Sequence, residues 1–212
     1  MTADMSSWIA RIAIMIPVFL VSLSMHEFSH AIAATLLGDS TPRKQGRLTL
    51  NPLAHVDLWG LLFLVIVHIG WAKPVVFDPR NFKHPKFFSL ITAFVGPLSN
   101  FVMALASMYL LQLLPAAFIP MAINKTFIQI LQAMVGVNIM LGVFNLLPIP
   151  PLDGGHLLMV FLNEKAPELA LLVYKYSFFI LLAFLLLPFA GSAILGKLFI
   201  ITHTWLTSLV VI

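Results

Sequence analysis

Residues 16–37 read IPVFLVSLSMHEFSHAIAATLL, and they place His26, Glu27 and His30 inside a run that is otherwise apolar. On a helix, residues i and i+4 lie one turn apart on one face, so both imidazoles can reach one tetrahedral Zn²⁺. Glu27, next to the first histidine, is angled towards water rather than towards the metal, which is the position of a general base. Ionisable residues at bilayer depth cost ~2.5–3.5 kcal/mol each on insertion scales. Three of them within five positions call for a function, beyond the stitching together of helices that a polar cluster also provides.

Outward from this stretch the chain stays greasy. Of 212 residues, 60% are hydrophobic and 9% charged, with a mean hydropathy of +1.01. A soluble domain carries about 25% charged residues, so the bilayer must be the solvent for much of this surface. There is no cysteine, which removes disulfides and thiolate-bound zinc and leaves histidine and carboxylate as ligands. The net charge of +4 does not indicate nucleic acid, because the basic residues are few and flank apolar spans, where they fix topology. The N-terminus is not read as a signal peptide: it begins with Asp4 rather than basic residues, and its apolar run continues into the His-Glu motif.

The hydropathy pattern predicts an all-α polytopic membrane protein, residues 1–212 forming one domain with a catalytic core over 8–162 and a helical pair over 169–211. Five full spans are expected at about 8–37, 87–114, 126–148, 169–187 and 191–211. Residues 58–70 are apolar but too short to cross comfortably and read as a re-entrant or interfacial segment, or as a helix buried among others. Short β-strands are expected in the same loop region, near 47–51 and 73–77. Arg43, Lys44, Arg47, Lys73, Arg80, Lys83 and Lys86 all fall between the first two full spans. Counting positive charges therefore puts that region and the active site on the cytoplasmic side, and five alternating spans bring the C-terminus there too.

A catalytic zinc needs three protein ligands and an open water position. Asp153, in NLLPIPPLDGG (145–155), is the best candidate for the third, since a carboxylate in membrane-embedded sequence needs a partner charge. An ordinary turn aspartate at the membrane edge is the alternative. His156 could reach the same metal if its segment is helical. His55 and His84 read as solvated loop residues, and His68 and His203 as hydrogen-bonded helix partners. Glu164 and Glu168 lie in a polar loop and are disfavoured as ligands.

HEFSH early in a membrane helix, Gly96-Pro97-Leu98-Ser99-Asn100 in a later one and NLLPIPPLDGG in the next resemble the site-2 protease family of intramembrane zinc metalloproteases. NPLAHVD (51–57) and WAKPV (71–75) resemble the segments that such proteins carry between these helices. The resemblance runs over about residues 20–160. It implies one zinc ion per chain held by His26, His30 and Asp153, with Glu27 as base. It also implies that Asn100 and Asn145 line the cleft, holding an unwound substrate backbone or an oxyanion; interhelical hydrogen bonding is the alternative for both.

The implied partners are a transmembrane protein substrate and the lipid bilayer, with no nucleic acid, in a multi-pass protein of the plasma membrane. The sequence departs from larger members in showing no PDZ-like insertion, no C-terminal regulatory domain and no span before the catalytic helix. Two rival readings use the same residues. A divalent-metal transporter or sensor would string its ionisable groups along a path and gives no reason for Glu27, and an inert scaffold gives no reason for an intact ligand set.

Overall fold

The structure, a computed structural model, describes residues 2–67, 70–113, 121–187 and 191–210. Eight α-helices occur among them: α1 (Thr2–Leu36), α2 (Thr41–Lys44), α3 (Leu58–Val67), α4 (Pro85–Leu113), α5 (Met121–Asn145), α6 (Asp153–Lys165), α7 (Pro167–Leu186) and α8 (Gly191–Val210). Five are long and apolar enough to cross a bilayer: α1 from Trp8, α4, α5 from Lys125, α7, and α8 from Ala193. The all-α polytopic architecture is as expected. The turn expected at 115–125 falls partly outside the described residues, as does His68. α5 stops at Asn145 rather than 148, because Pro148 bars the residue before it from helical geometry.

α4 packs against both α1 and α5, and the polarity of this trio is inverted relative to a soluble bundle. α1 buries Ser22, His26, Glu27 and His30, α4 buries Thr92 and Asn100, and α5 buries Asn138, while Val21, Val102 and Met140 of the same three helices are exposed. Lipid tails are as apolar as leucine, so exposed apolar side chains cost nothing there and buried polar groups must find each other. Ser24, Ser29 and Thr35 solve this locally, each hydroxyl donating to the carbonyl four residues back. The apolar core sits beside the polar one, where Ala104 and Met108 of α4 meet Val135, Ile139 and Val143 of α5 and Leu206 and Val210 of α8.

Two expectations fail between α1 and α4. No strand occurs among the described residues. The region holds one isolated antiparallel bridge, Val56 to Ala72, while residues 47–51 and 73–77 run without regular pairing. The alternation of Leu48 and Leu50 has no partner strand to register against, and an unpartnered strand is not stable. The re-entrant segment is not supported either. Residues 58–67 form the ten-residue helix α3, whose Leu58, Trp59, Leu62 and Ile66 are exposed rather than buried among other helices. The chain then returns to the base of α3, where the Lys73 N–H donates to the His55 carbonyl at 2.8 Å.

Asp39 ties this region to the end of α1. It is fully buried and accepts from the Thr41 N–H and hydroxyl, the Asp78 N–H and the Asn81 amide at 2.6–2.9 Å. Burial pushes its carboxyl up, but these four donors outweigh it and hold the group below its ordinary range.

The C-terminal pair departs from simple alternation. Tyr109, in the last two turns of α4, donates its hydroxyl to the Leu209 carbonyl at 2.9 Å, so the end of α8 meets the end of α4. Five strictly alternating spans would set the end of α8 beside the start of α4. The described end of α8 thus lies beside the end of α4 rather than beside its start.

Candidate metal centre

His26 and His30 are buried on one face of α1, their rings edge to face with centroids 4.7 Å apart. Each ring is fixed through Nδ1. That of His30 lies 2.6 Å from the Thr92 carbonyl oxygen, which can only accept, so His30 carries a proton on Nδ1 and Nε2 is the nitrogen left to take a metal. That of His26 lies 2.7 Å from Asn100 Oδ1, and Nε2 is again left free. The two Nε2 atoms converge to 3.1 Å, close enough for both to bind one cation.

Asp153 supplies the rest of the site. It is the first residue of α6, where a carboxylate suits the positive end of the helix dipole. Its Oδ2 is 3.1 Å from His26 Nε2 and its Oδ1 3.3 Å from His30 Nε2, yet Oδ2 makes no hydrogen bond. A tetrahedral zinc with bonds of roughly 2.0–2.2 Å separates its ligands by roughly 3.3 Å, and the three observed separations lie close to that. Three ligand atoms within 4.8 Å of one another and an orphaned carboxylate oxygen therefore fit one zinc ion.

Glycines let the three elements approach. A Cβ at Gly96 would sit 2.2 Å from His30 Nε2, one at Gly154 2.2 Å from the Leu146 carbonyl oxygen, and one at Gly155 2.2 Å from the Pro150 nitrogen. Pro97 follows Gly96 in α4 and has no N–H to give the Ala93 carbonyl, so this turn of α4 is built for close passage rather than for helical pairing. The Pro150–Pro151 bond in the turn before Asp153 is cis.

Glu27 is buried beside the histidines, and its Oε2 accepts the Val75 N–H at 2.8 Å. The irregular 73–77 segment thus passes over the base. Phe77, at the end of that segment, packs edge to face on the His156 ring at 5.3 Å between centroids. His156 does stand on a helix, but it is not in the ligand cluster, and its Nε2 has no partner.

Other sequence expectations are redrawn here. Asn100 does not line a cleft: it is fully buried and spends its oxygen on His26. Asn145 is half-buried, its amide donating to the Leu141 carbonyl of its own helix. His55 is fully buried rather than solvated, with Nε2 bonded to the Thr49 carbonyl at 2.8 Å. His84 is exposed as expected, edge to face with Phe88, and His203 is exposed and stacked on Phe199. Glu164 is committed to an ion pair with Lys86. The Val75 N–H carries no sequence signal, whereas Asn138 does, as a buried amide in an apolar span.

The model of peptidase family M50 matches residues 14–187. Among curated proteins, the chain is 35% identical over 178 residues to "Putative zinc metalloprotease YwhC" of Bacillus subtilis, covering 83% of this chain and 81% of that one. It is 30% identical over 187 residues to "Putative zinc metalloprotease Rip2" of Mycolicibacterium smegmatis, covering 86% and 70%. No solved structure gives a significant match. With five apolar helices and a zinc-competent site, the chain belongs to peptidase family M50, the site-2 protease family, and is a membrane-embedded zinc metalloprotease.

Proposed function

We propose that the whole chain acts as one intramembrane endopeptidase that cuts a peptide bond in or near a transmembrane segment of another membrane protein. His26, His30 and Asp153 hold the zinc and Glu27 is the general base. The observation that carries this reading is the convergence of two inward-facing Nε2 atoms and a carboxylate oxygen without a hydrogen bond on one point, with a buried carboxylate alongside. Zinc, when bound, supplies a Lewis acid that polarises a peptide carbonyl and acidifies water. Glu27 takes the proton of the attacking water and delivers it to the leaving amine. Thr92 and Asn100 hold the two imidazoles in the tautomer that leaves Nε2 free. A helical substrate is self-paired in lipid, so it unwinds locally before its carbonyl is exposed, and in this reading the half-buried Asn145 at the end of α5 meets the freed backbone. The basic residues between α1 and α4 support a site towards the cytoplasmic face of the plasma membrane.

The test is zinc content and cleavage of a model transmembrane substrate in detergent. Glu27→Gln is expected to keep zinc and lose about 10²–10⁴-fold in rate, and His26→Ala to lose zinc. Normal cleavage by a zinc-loaded Glu27→Gln protein would remove the base assignment, and full zinc in His26→Ala would remove the ligand assignment.

A further inference from the structure

The hydrogen bond from His26 to Asn100 is one link of a longer line of fully buried groups. Asn100 Nδ2 is 2.9 Å from Asn138 Oδ1. Asn138 Nδ2 is in turn 2.8 Å from Ser22 Oγ and 2.8 Å from the Met134 carbonyl oxygen. The Ser22 hydroxyl points its own proton at Met134 Sδ, 3.9 Å away. The line starts on α1 at His26, crosses α4 and α5, and returns to α1 at Ser22. Ser22, Asn100 and Asn138 have no exposed surface, so no water competes for these bonds.

The direction of every bond follows from its far end. A backbone carbonyl only accepts, so the atom of Asn138 that meets the Met134 oxygen is its NH₂. Asn138 Oδ1 must then face Asn100 and accept from that residue's NH₂. Asn100 is left to present Oδ1 to His26, and His26 must answer with N–H on Nδ1. Its Nε2 is therefore bare, and that is the atom facing Asp153 and His30. Turned around at position 100, the amide would donate to Nδ1 and drive the proton onto Nε2, where it blocks a metal.

We propose that Asn138 is a positioning residue of the metal centre: acting through Asn100, it fixes the tautomer in which His26 can bind zinc. This rests on His26 being a zinc ligand. A residue that merely glues α5 to its neighbours would affect stability on removal but would leave the ligand set and its affinity alone.

The experiment uses the full chain in detergent and reads zinc affinity by chelator competition, together with the visible spectrum of the cobalt-substituted protein. The series is wild type, Asn138→Leu, Asn100→Leu, the double variant and His26→Ala. Each single asparagine variant is expected to bind zinc 10–100-fold more weakly, as loss of an outer-shell partner does. The double variant is expected to bind no more weakly than Asn100→Leu, and the cobalt spectra of the two single variants should be altered alike. Wild-type affinity and spectrum in Asn138→Leu, or losses that multiply in the double variant, would overturn the relay. If Asn138→Leu does not fold, ¹⁵N shifts of His26 in the metal-free wild-type chain decide: an Nδ1–H tautomer supports the relay and an Nε2–H tautomer ends it. His26→Ala separates the two levels, since retained zinc there removes the ligand assignment itself.

Discussion

The Val75 N–H donates to Glu27 Oε2 at 2.8 Å, joining the base on α1 to an irregular segment 48 residues further on. It is the one hydrogen bond found on the Glu27 carboxylate among the described residues, and a backbone amide makes it. A hydrogen bond to a charged group contributes about 1.5–3 kcal/mol, here towards holding one oxygen so that the other is aimed at water. Val75→Pro removes the donor, whereas Val75→Ala keeps it. The proline variant is expected to cleave roughly tenfold more slowly, on that bond energy, with unchanged zinc content, and the alanine variant to match wild type. Equal rates in steady-state cleavage assays would show that the bond does not orient the base.

Gly96→Ala tests how tightly α4 rides on the histidine pair. The added methyl would stand 2.2 Å from His30 Nε2 and 2.9 Å from His26 Cε1, and His30 cannot swing away without giving up Thr92. Zinc affinity is expected to fall by at least about tenfold, the lower end for a disturbed metal shell, while the protein remains monodisperse and helical. Undiminished zinc binding by chelator competition would mean that the helices have more room than the geometry allows.

Asp39 makes a pH prediction whose sign is fixed by its partners. Its carboxyl is held below the ordinary range, so the unfolded chain binds a proton before the folded one does. The stabilisation is fully present above the unfolded value of about 3.9 and is lost as pH falls through the lower, folded value. Asp39→Asn should flatten this acid limb and destabilise the fold by about 1–3 kcal/mol at neutral pH through unmatched donors. Thermal unfolding followed between about pH 3 and pH 6, the range bracketing the unfolded carboxyl, reads both effects.

The meeting of Tyr109 with Leu209 predicts sidedness. The chain has no cysteine, so single cysteines can be introduced at the exposed Lys44, Leu113 and Ser208 and labelled with an impermeant maleimide in sealed vesicles. Leu113→Cys and Ser208→Cys are expected to label from one side and Lys44→Cys from the other. Labelling of Ser208→Cys together with Lys44→Cys would restore five alternating spans.

Much of the site was legible because helical period is written directly in spacing: His26 and His30 share a face whatever surrounds them. Asp153 was legible because a carboxylate between prolines and apolar helices needs a counter-charge. Asn100 was misplaced because an amide reads the same whether it faces a cleft or a histidine, and only the partners across α5 settle its direction. His55 was taken as solvated because loops usually are, yet here it is buried, with Nε2 on the Thr49 carbonyl and the buried Arg47 on the carbonyl of the neighbouring Ala54. The strands at 47–51 and 73–77 failed for a related reason: two-residue alternation marks a face only when a partner exists, and the 73–77 backbone spends its N–H on Glu27 instead.

The inverted polarity of α1, α4 and α5 has a consequence for how the protein is made. Translation delivers α1 first, with its two histidines and a glutamate, while Asn100, Asn138 and Asp153 emerge later in that order. During that interval α1 resides in lipid with its ionisable face unmatched, and a charged group at a helix centre costs ~2.5–3.5 kcal/mol on insertion scales. The long apolar stretch before those groups, with the shorter AIAATLL (31–37) after them, keeps it inserted. Insertion and assembly are thus separate events in time, and the newborn helix is a quality-control liability until α4 docks. Substitutions that strip apolar residues from 9–23 should therefore lower membrane yield without touching the activity of the molecules that do assemble.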